Sequence, residues 1–123
     1  MKKLYLFFLL VLGFAPVKAQ IDTSFWFVAP DISAGLGQSP IKMYFTTYSS
    51  ASTVYLRQPA NGTFTPITIN IPANSVDSVD LTPFIASVES TPTNSVLTRG
   101  IYISTSSNVS AVYCIKSPTN KEM

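Results

Sequence analysis

From Ile41 onward the apolar residues of this chain fall on every second position. Ile41, Met43 and Phe45 alternate with Lys42, Tyr44 and Thr46; Val54 and Leu56 with Tyr55 and Arg57; Ile67, Ile69 and Ile71 with Thr68 and Asn70. A period of two belongs to a strand, whose successive side chains point to opposite faces. A helix would instead need apolar residues three and four apart. Each apolar row has to be buried, which calls for sheet packed on sheet. Ile101 and Ile103, with Tyr102 outward, continue the pattern, as do Val109, Ala111, Tyr113 and Ile115 on one face. Val76, Val79 and Leu81 break the period and predict a bulge between Val76 and Val79.

Two segments carry apolar residues on both faces. In Asp22 to Pro30, Phe25, Phe27 and Ala29 point one way, and Trp26 and Val28 the other. In Val109 to Lys116, Val112 and Cys114 oppose the row of Val109. Both strands are therefore expected to be covered on both sides, and the aromatic one is the strand on which a sandwich would close. Turn chemistry separates the strands. Pro59-Ala60-Asn61-Gly62 suits a turn with two positive-φ positions, Pro72-Ala73-Asn74-Ser75 turns the chain again, and Thr105-Ser106-Ser107-Asn108 turns it into Val109. Asp31 to Pro40 reads as a loop in which Gly35 and Gly37 are free to take positive φ, without the third glycine or lysine of a phosphate loop. Thr82-Pro83 resembles an N-cap with proline at the first helical position, so Phe84 to Glu89 is expected as a short helix. The fold class expected is all-β: a small antiparallel Ig-like β-sandwich of about seven strands.

The first 19 residues read differently. Lys2 and Lys3 precede an apolar run from Leu4 to Phe14, and Val17-Lys18-Ala19 is a small-residue cleavage site, so cutting is expected between Ala19 and Gln20. The run is shorter than the roughly 20 residues that span a bilayer, and no transmembrane segment is expected in the mature chain. An exported domain, residues 20–123, is the expectation: extracellular or at the cell surface, or periplasmic if no outer-membrane sorting domain follows. Lys2, Lys3 and Lys18 belong to the leader, so five basic residues face six acidic ones in the remainder, a net charge near −1. That balance offers no case for nucleic acid. Cys114 is the single cysteine, so no intrachain disulfide forms and an apolar core must carry stability. The chain stops soon after a strand with two apolar faces. This reads either as truncation of a longer protein or as a surface that a partner covers.

The search for chemistry is short. Without histidine the commonest general base and metal ligand is missing, and no Ser-His-Asp or Cys-His site can be assembled within the chain. Cys114 reads as a small core residue rather than a nucleophile. Asp77 and Asp80, three apart around the expected bulge, read as turn caps or surface charges rather than an acid–base pair or calcium ligands. No catalytic residue, metal site or cofactor is expected. Tyr44, Tyr55 and Tyr102 are the candidate binding residues. All three lie on outward rows, where aromatics stack on sugars or anchor a protein partner, against the plainer reading that tyrosine favours strands. Asp77-Ser78-Val79 marks Ser78 as a candidate O-glycosylation acceptor.

Asp22-Thr-Ser-Phe-Trp-Phe-Val-Ala-Pro-Asp31 resembles the opening of the IgGFc-binding-protein N-terminal domain family of large bacterial surface and gliding-motility-associated proteins. Ile67 to Pro72, Ala73-Asn74-Ser75, Val79-Asp80-Leu81-Thr82-Pro83-Phe84-Ile85, Gly100-Ile-Tyr-Ile-Ser104 and Val109-Ser-Ala-Val-Tyr113 resemble the same pattern. The resemblance implies an extracellular β-rich domain of an adhesin-like protein. No motif here carries immunoglobulin binding. The function expected is an exported, non-enzymatic interaction module with a protein or glycan partner at the cell surface, the N-terminal part of a larger protein. The alternatives are a carbohydrate-binding module that uses the outward tyrosines, an enzyme working with carboxylates alone, and a non-functional gene fragment.

Overall fold

The computed structural model describes residues 21–31 and 41–115. The expected leader, the expected Ala19–Gln20 cleavage point, Gly35 and Gly37 of the expected loop, and the residues after Ile115 lie outside the described residues. Six strands are described: β1 (Asp22–Phe27), β2 (Ile41–Thr47), β3 (Ser52–Arg57), β4 (Ile67–Ile71), β5 (Val76–Asp80) and β6 (Ile101–Ile115). All their pairings are antiparallel, so the protein is an all-β domain of the expected class. The expected seventh strand is absent because 101–105 and 109–115 are one strand, β6.

The registers show how the sheet is shaped. β2 and β3 lie end to end along the same edge of β6: β2 runs from Ile41 opposite Ile115 to Thr47 opposite Val109, and β3 from Val54 opposite Thr105 to Arg57 opposite Tyr102. On their far side β5 flanks β2 and β4 flanks β3, again end to end. β1 takes the other edge of β6, opposite Ile101 to Ser104, then reaches Val109 after a register shift. Three long lines of chain thus run side by side: two break at the same level, residues 48–51 and 72–75, and the third, β6, runs on unbroken there but leaves the β3 ladder at Thr105 and joins the β2 ladder at Val109. At those breaks the sheet bends over on itself. Phe27 sits opposite Ile101, yet its ring lies 5.0 Å from that of Tyr113. Twelve residues of straight strand would separate those positions by about 40 Å. The two layers of the sandwich are therefore halves of a single hydrogen-bonded sheet.

Pro72–Ser75 holds its expected turn at Ala73–Asn74 but forms a corner rather than a reversal, and Thr105–Asn108, expected as a turn, is a bent stretch of strand β6. The chain changes layer there without reversing. Bending a sheet breaks ladder hydrogen bonds, and buried polar side chains replace them. Thr47 donates its hydroxyl to the carbonyls of Pro72 and Ser75 and accepts the Ser75 N–H at 3.1 Å, while its own N–H donates to Ser75 O at 2.9 Å. Asn74, with φ of 53°, donates its N–H to Tyr48 O at 2.7 Å across the same corner. Ser52 does the corresponding work toward β6, donating to Ser107 O and accepting the Ser107 N–H, each at 3.2 Å. Thr47 and Ser52 are both buried.

The inward rows meet between the layers. Ile41, Phe45, Val54, Leu56, Ile71, Ile101, Ile103 and Val109 are all essentially solvent-free, and each is worth roughly 1.5–3 kcal/mol of burial. The expected cover on both sides of β1 and of the end of β6 is not there. Phe27 and Ala29 are buried, but Trp26, Val28 and Val112 are exposed and Cys114 is half-buried. A folded sheet encloses one space only, and no third layer packs on its outside among the described residues. Nor does β5 carry the expected bulge: its register with β2 is unbroken from Asp80 to Val76, and Val76 simply faces solvent on an edge strand.

After β5 comes a single 3-10 turn, Thr82–Phe84, and then one turn of helix, α1 (Ile85–Val88). The helix is where the sequence places it, but Thr82 is not its side-chain cap. Asp80 accepts the Thr82 N–H at 2.9 Å. The neighbouring Thr82 hydroxyl, though it has no aligned partner, and this N–H together hold the Asp80 carboxyl below the ordinary carboxylate range; Lys42, opposite in register, adds a smaller pull.

Two outcomes follow from these contacts. Thr47→Val leaves two backbone groups at the corner, Pro72 O and the Ser75 N–H, without their partner and should cost about 1–3 kcal/mol in urea unfolding, whereas Thr46→Val on the outward row should stay within about 0.5 kcal/mol. Because the folded Asp80 pKa lies below the unfolded value of about 3.9, its contribution is present above that pH and lost as pH falls through the folded pKa. Asp80→Asn should therefore be less stable than wild type at neutral pH and converge with it below about pH 4. A gap independent of pH would refute that linkage.

Candidate functional site

The first half of β6 has a neighbour on each edge, and this brings three outward side chains into one row. Trp26 on β1 and Arg57 on β3 both stand opposite Tyr102. Trp26, the only tryptophan in the chain, is 68% exposed. It is nevertheless held. Its six-membered ring lies over Gly100, where an added Cβ would come 3.7 Å from Cζ3, and its centroid is 5.0 Å from that of Tyr102 at 48°. Tilted rings at this distance attract one another beyond their shared burial. From the other side the Arg57 guanidinium carbon lies 5.6 Å from the Tyr102 ring centroid, and Nη2 donates to Ser104 Oγ at 3.3 Å. Arg57, Tyr102 and Trp26 form a cation–aromatic–aromatic row on a rigid sheet.

The loop between β3 and β4, residues 58–66, raises a wall beside this row. It is built of two successive tight turns, Asn61 N–H to Gln58 O at 2.9 Å and Phe64 N–H to Asn61 O at 3.1 Å. Asn61-Gly62 does not supply the expected pair of positive-φ residues; neither takes a positive φ, and the loop is wider than a two-residue hairpin. The reason lies beneath it. Phe64 is pulled into the core against Phe84, 5.7 Å away, which anchors the loop at its far end. At its near end the buried Gln58 amide donates to Ser87 O at 2.9 Å and Arg99 O at 3.0 Å, and accepts from Asn61 Nδ2 at 2.8 Å.

Row and wall enclose an open groove of about 570 Å³, lined chiefly by Trp26, Tyr102, Arg57, Pro59, Gly62 and Phe64. That volume falls within the roughly 300–1,000 Å³ of small-molecule sites. Its polar inventory is limited. Both N–H groups of the Gln58 amide are committed within the protein, as are Asn61 Oδ1, which accepts from Thr63 N–H and Oγ1, and one of the two Asn61 N–H groups. The other Asn61 N–H, the Arg57 guanidinium and the Tyr102 hydroxyl remain, and no carboxylate lines the groove.

The structure separates the three candidate tyrosines. Tyr102 is in the groove. Tyr55 shares its face, opposite Ser104, but lies outside the groove lining. Tyr44 belongs to the other half of the folded sheet, between Ser78 and Val112 in register, ten residues along β6 from Tyr102. Ser78 is half-buried on edge strand β5, its backbone N–H donating to Asp77 Oδ1 at 2.7 Å. Asp77 and Asp80 sit on a regular strand three residues apart and so on opposite faces. Among the described residues no group of three or more Cys, Asp or Glu side chains could hold a metal ion. Two groove residues escape the sequence reading: Trp26, whose bulk suggests burial, and Arg57, an ordinary outward charge. No local pattern marks either one: Gly100 lies beneath the indole, but a Cβ there would meet it at an ordinary contact distance of 3.7 Å.

Comparisons of the chain with family models, with curated proteins and with solved structures give no significant match.

Trp26→Ala removes an exposed ring and should change stability by under about 1 kcal/mol, against roughly 3–5 kcal/mol for Phe64→Ala. Comparing the two by thermal unfolding, with iodide quenching of the native tryptophan emission, checks the exposure. A tryptophan shielded from iodide would contradict the site as described.

Proposed function

We propose that this chain is an exported, non-enzymatic, adhesin-like interaction module that binds a partner at the cell surface through the Trp26–Tyr102–Arg57 groove. One observation carries the reading: the bulkiest aromatic residue of the chain stands in solvent, yet is fixed by Gly100 and Tyr102. Leaving an indole exposed forgoes burial free energy, and exposed, pre-positioned Trp, Tyr and Arg are the residue types that dominate binding hot spots. The sheet beneath supplies rigidity, so little conformational freedom is lost on binding. The leader at residues 1–19 and the resemblance to the IgGFc-binding-protein N-terminal domain family support an extracellular location. Tyr102 keeps its role from the sequence reading, Tyr55 extends the same face, and Tyr44 with Ser78 belongs to a separate surface.

The groove lining sets aromatic side chains beside one arginine, a composition that supports binding as its role.

Expression of the tagged full chain in a bacterial host tests both halves of the proposal. The exported form should begin at Gln20 and bind intact cells or their shed surface material. Trp26→Ala should weaken that binding by roughly 10-fold or more, as for a hot-spot residue, while Tyr44→Ala leaves it unchanged. Uncleaved protein held in the cytoplasm, or equal loss in the two variants, would count against the proposal.

A further inference from the structure

The groove's chemistry specifies more than binding. Building on the module reading above, we infer that its ligand is an anionic saccharide, a sugar chain bearing ring carboxylates, whose apolar C–H face lies on Trp26 and whose carboxylate is held by Arg57.

Three features on the page select this class. Trp26 presents a flat, solvent-facing ring with its other side toward Gly100 and Tyr102, so one face of the indole is open to a ligand in the groove. A pyranose ring has a flat apolar face of matching shape, and an aromatic-lined groove also suits a proline-rich strand, so the arginine is what separates the two. Arg57 is the only charge in the lining, with no carboxylate facing it there. Its guanidinium is kept in place by the Tyr102 ring and spends one N–H on Ser104 Oγ. Four of its five donors then remain, enough for the paired N–H geometry that matches a carboxylate. Finally, of the four amide N–H groups on Gln58 and Asn61 that would bind a neutral sugar's hydroxyls, three are engaged inside the protein. Recognition of the hydroxyl pattern is therefore weak, and the aromatic face together with the cation must supply both affinity and selectivity. An anionic group on the sugar is what a lone, pre-oriented arginine adds.

Trp26 is the chain's only tryptophan, so its emission reports directly on the groove. The full chain should be titrated with oligogalacturonate, oligomannuronate, the methyl ester of oligogalacturonate, and a proline decapeptide. Saturable change with at least one of the two uronates is expected, with binding reduced roughly 10- to 100-fold by esterification or by Arg57→Gln, the range of a charge-assisted hydrogen bond. Arg57→Lys, which keeps the charge but loses the fork, should fall between, and added salt should weaken the uronate arm alone. Thermal unfolding of each variant should match wild type, since Arg57 and Trp26 are exposed. Equal binding of ester and acid, or binding of the proline peptide alone, would overturn the anionic-saccharide inference and leave the groove as a binding site. No response to any probe, together with surface binding that is indifferent to Trp26→Ala, would overturn both.

Discussion

The structure depends on how one sheet is bent without exposing or stranding its backbone. At the corner the ladder is interrupted, and the interruption is buried. Thr47 and Ser52 stand on either side of it and carry the missing hydrogen bonds, Thr47 to the β4–β5 line and Ser52 to β6. An unpaired buried N–H or C=O costs as much as a hydrogen bond is worth, and often more, so these hydroxyls make the corner affordable at all. Everything else follows from the bend. It brings Phe27 against Tyr113, encloses the isoleucine rows, and leaves each half of the sheet with one outer face in water.

The candidate site is a consequence of that geometry. Only the half of the sheet that contains β1 has three strands side by side with large outward residues in one row, Trp26, Tyr102 and Arg57. The β3–β4 loop beside it is fixed from inside by Phe64 and Gln58, so wall and floor are both anchored to the core. Rigid support under an exposed aromatic platform suits binding, where ordering costs detract from affinity. The other half offers Tyr44 and Val112 on its outer face, without a comparable wall among the described residues.

Much of the strand pattern was legible. The inward rows of β2, β3 and β4 can be read from alternation because the half-buried position of each side chain is set by its own pleat, a local property. The short helix was legible for the same reason, since proline at its start acts locally. Other features were not. Thr105–Asn108 and Pro72–Ser75 have the composition of turns, and polarity alone does not distinguish a reversal from a corner. The difference lies in which neighbours accept their backbone groups. Trp26 was misjudged on similar grounds: a large apolar side chain suggests burial, but whether a second layer covers it depends on how many layers the chain makes.

The amino-acid order by itself determined that this chain forms antiparallel sheet, which residues face inward along most strands, and that stability rests on an apolar core without a disulfide. These are properties of neighbouring residues, and period-two patterning and a single cysteine suffice for them. Tertiary structure alone decided that two expected strands are one, that the sandwich is a single folded sheet, and that Trp26, Tyr102 and Arg57 meet. Those three residues are separated by 31 and 45 positions along the chain and brought together by register. Register is fixed by long-range pairing of β6 with β1 and β3, and no local pattern encodes it.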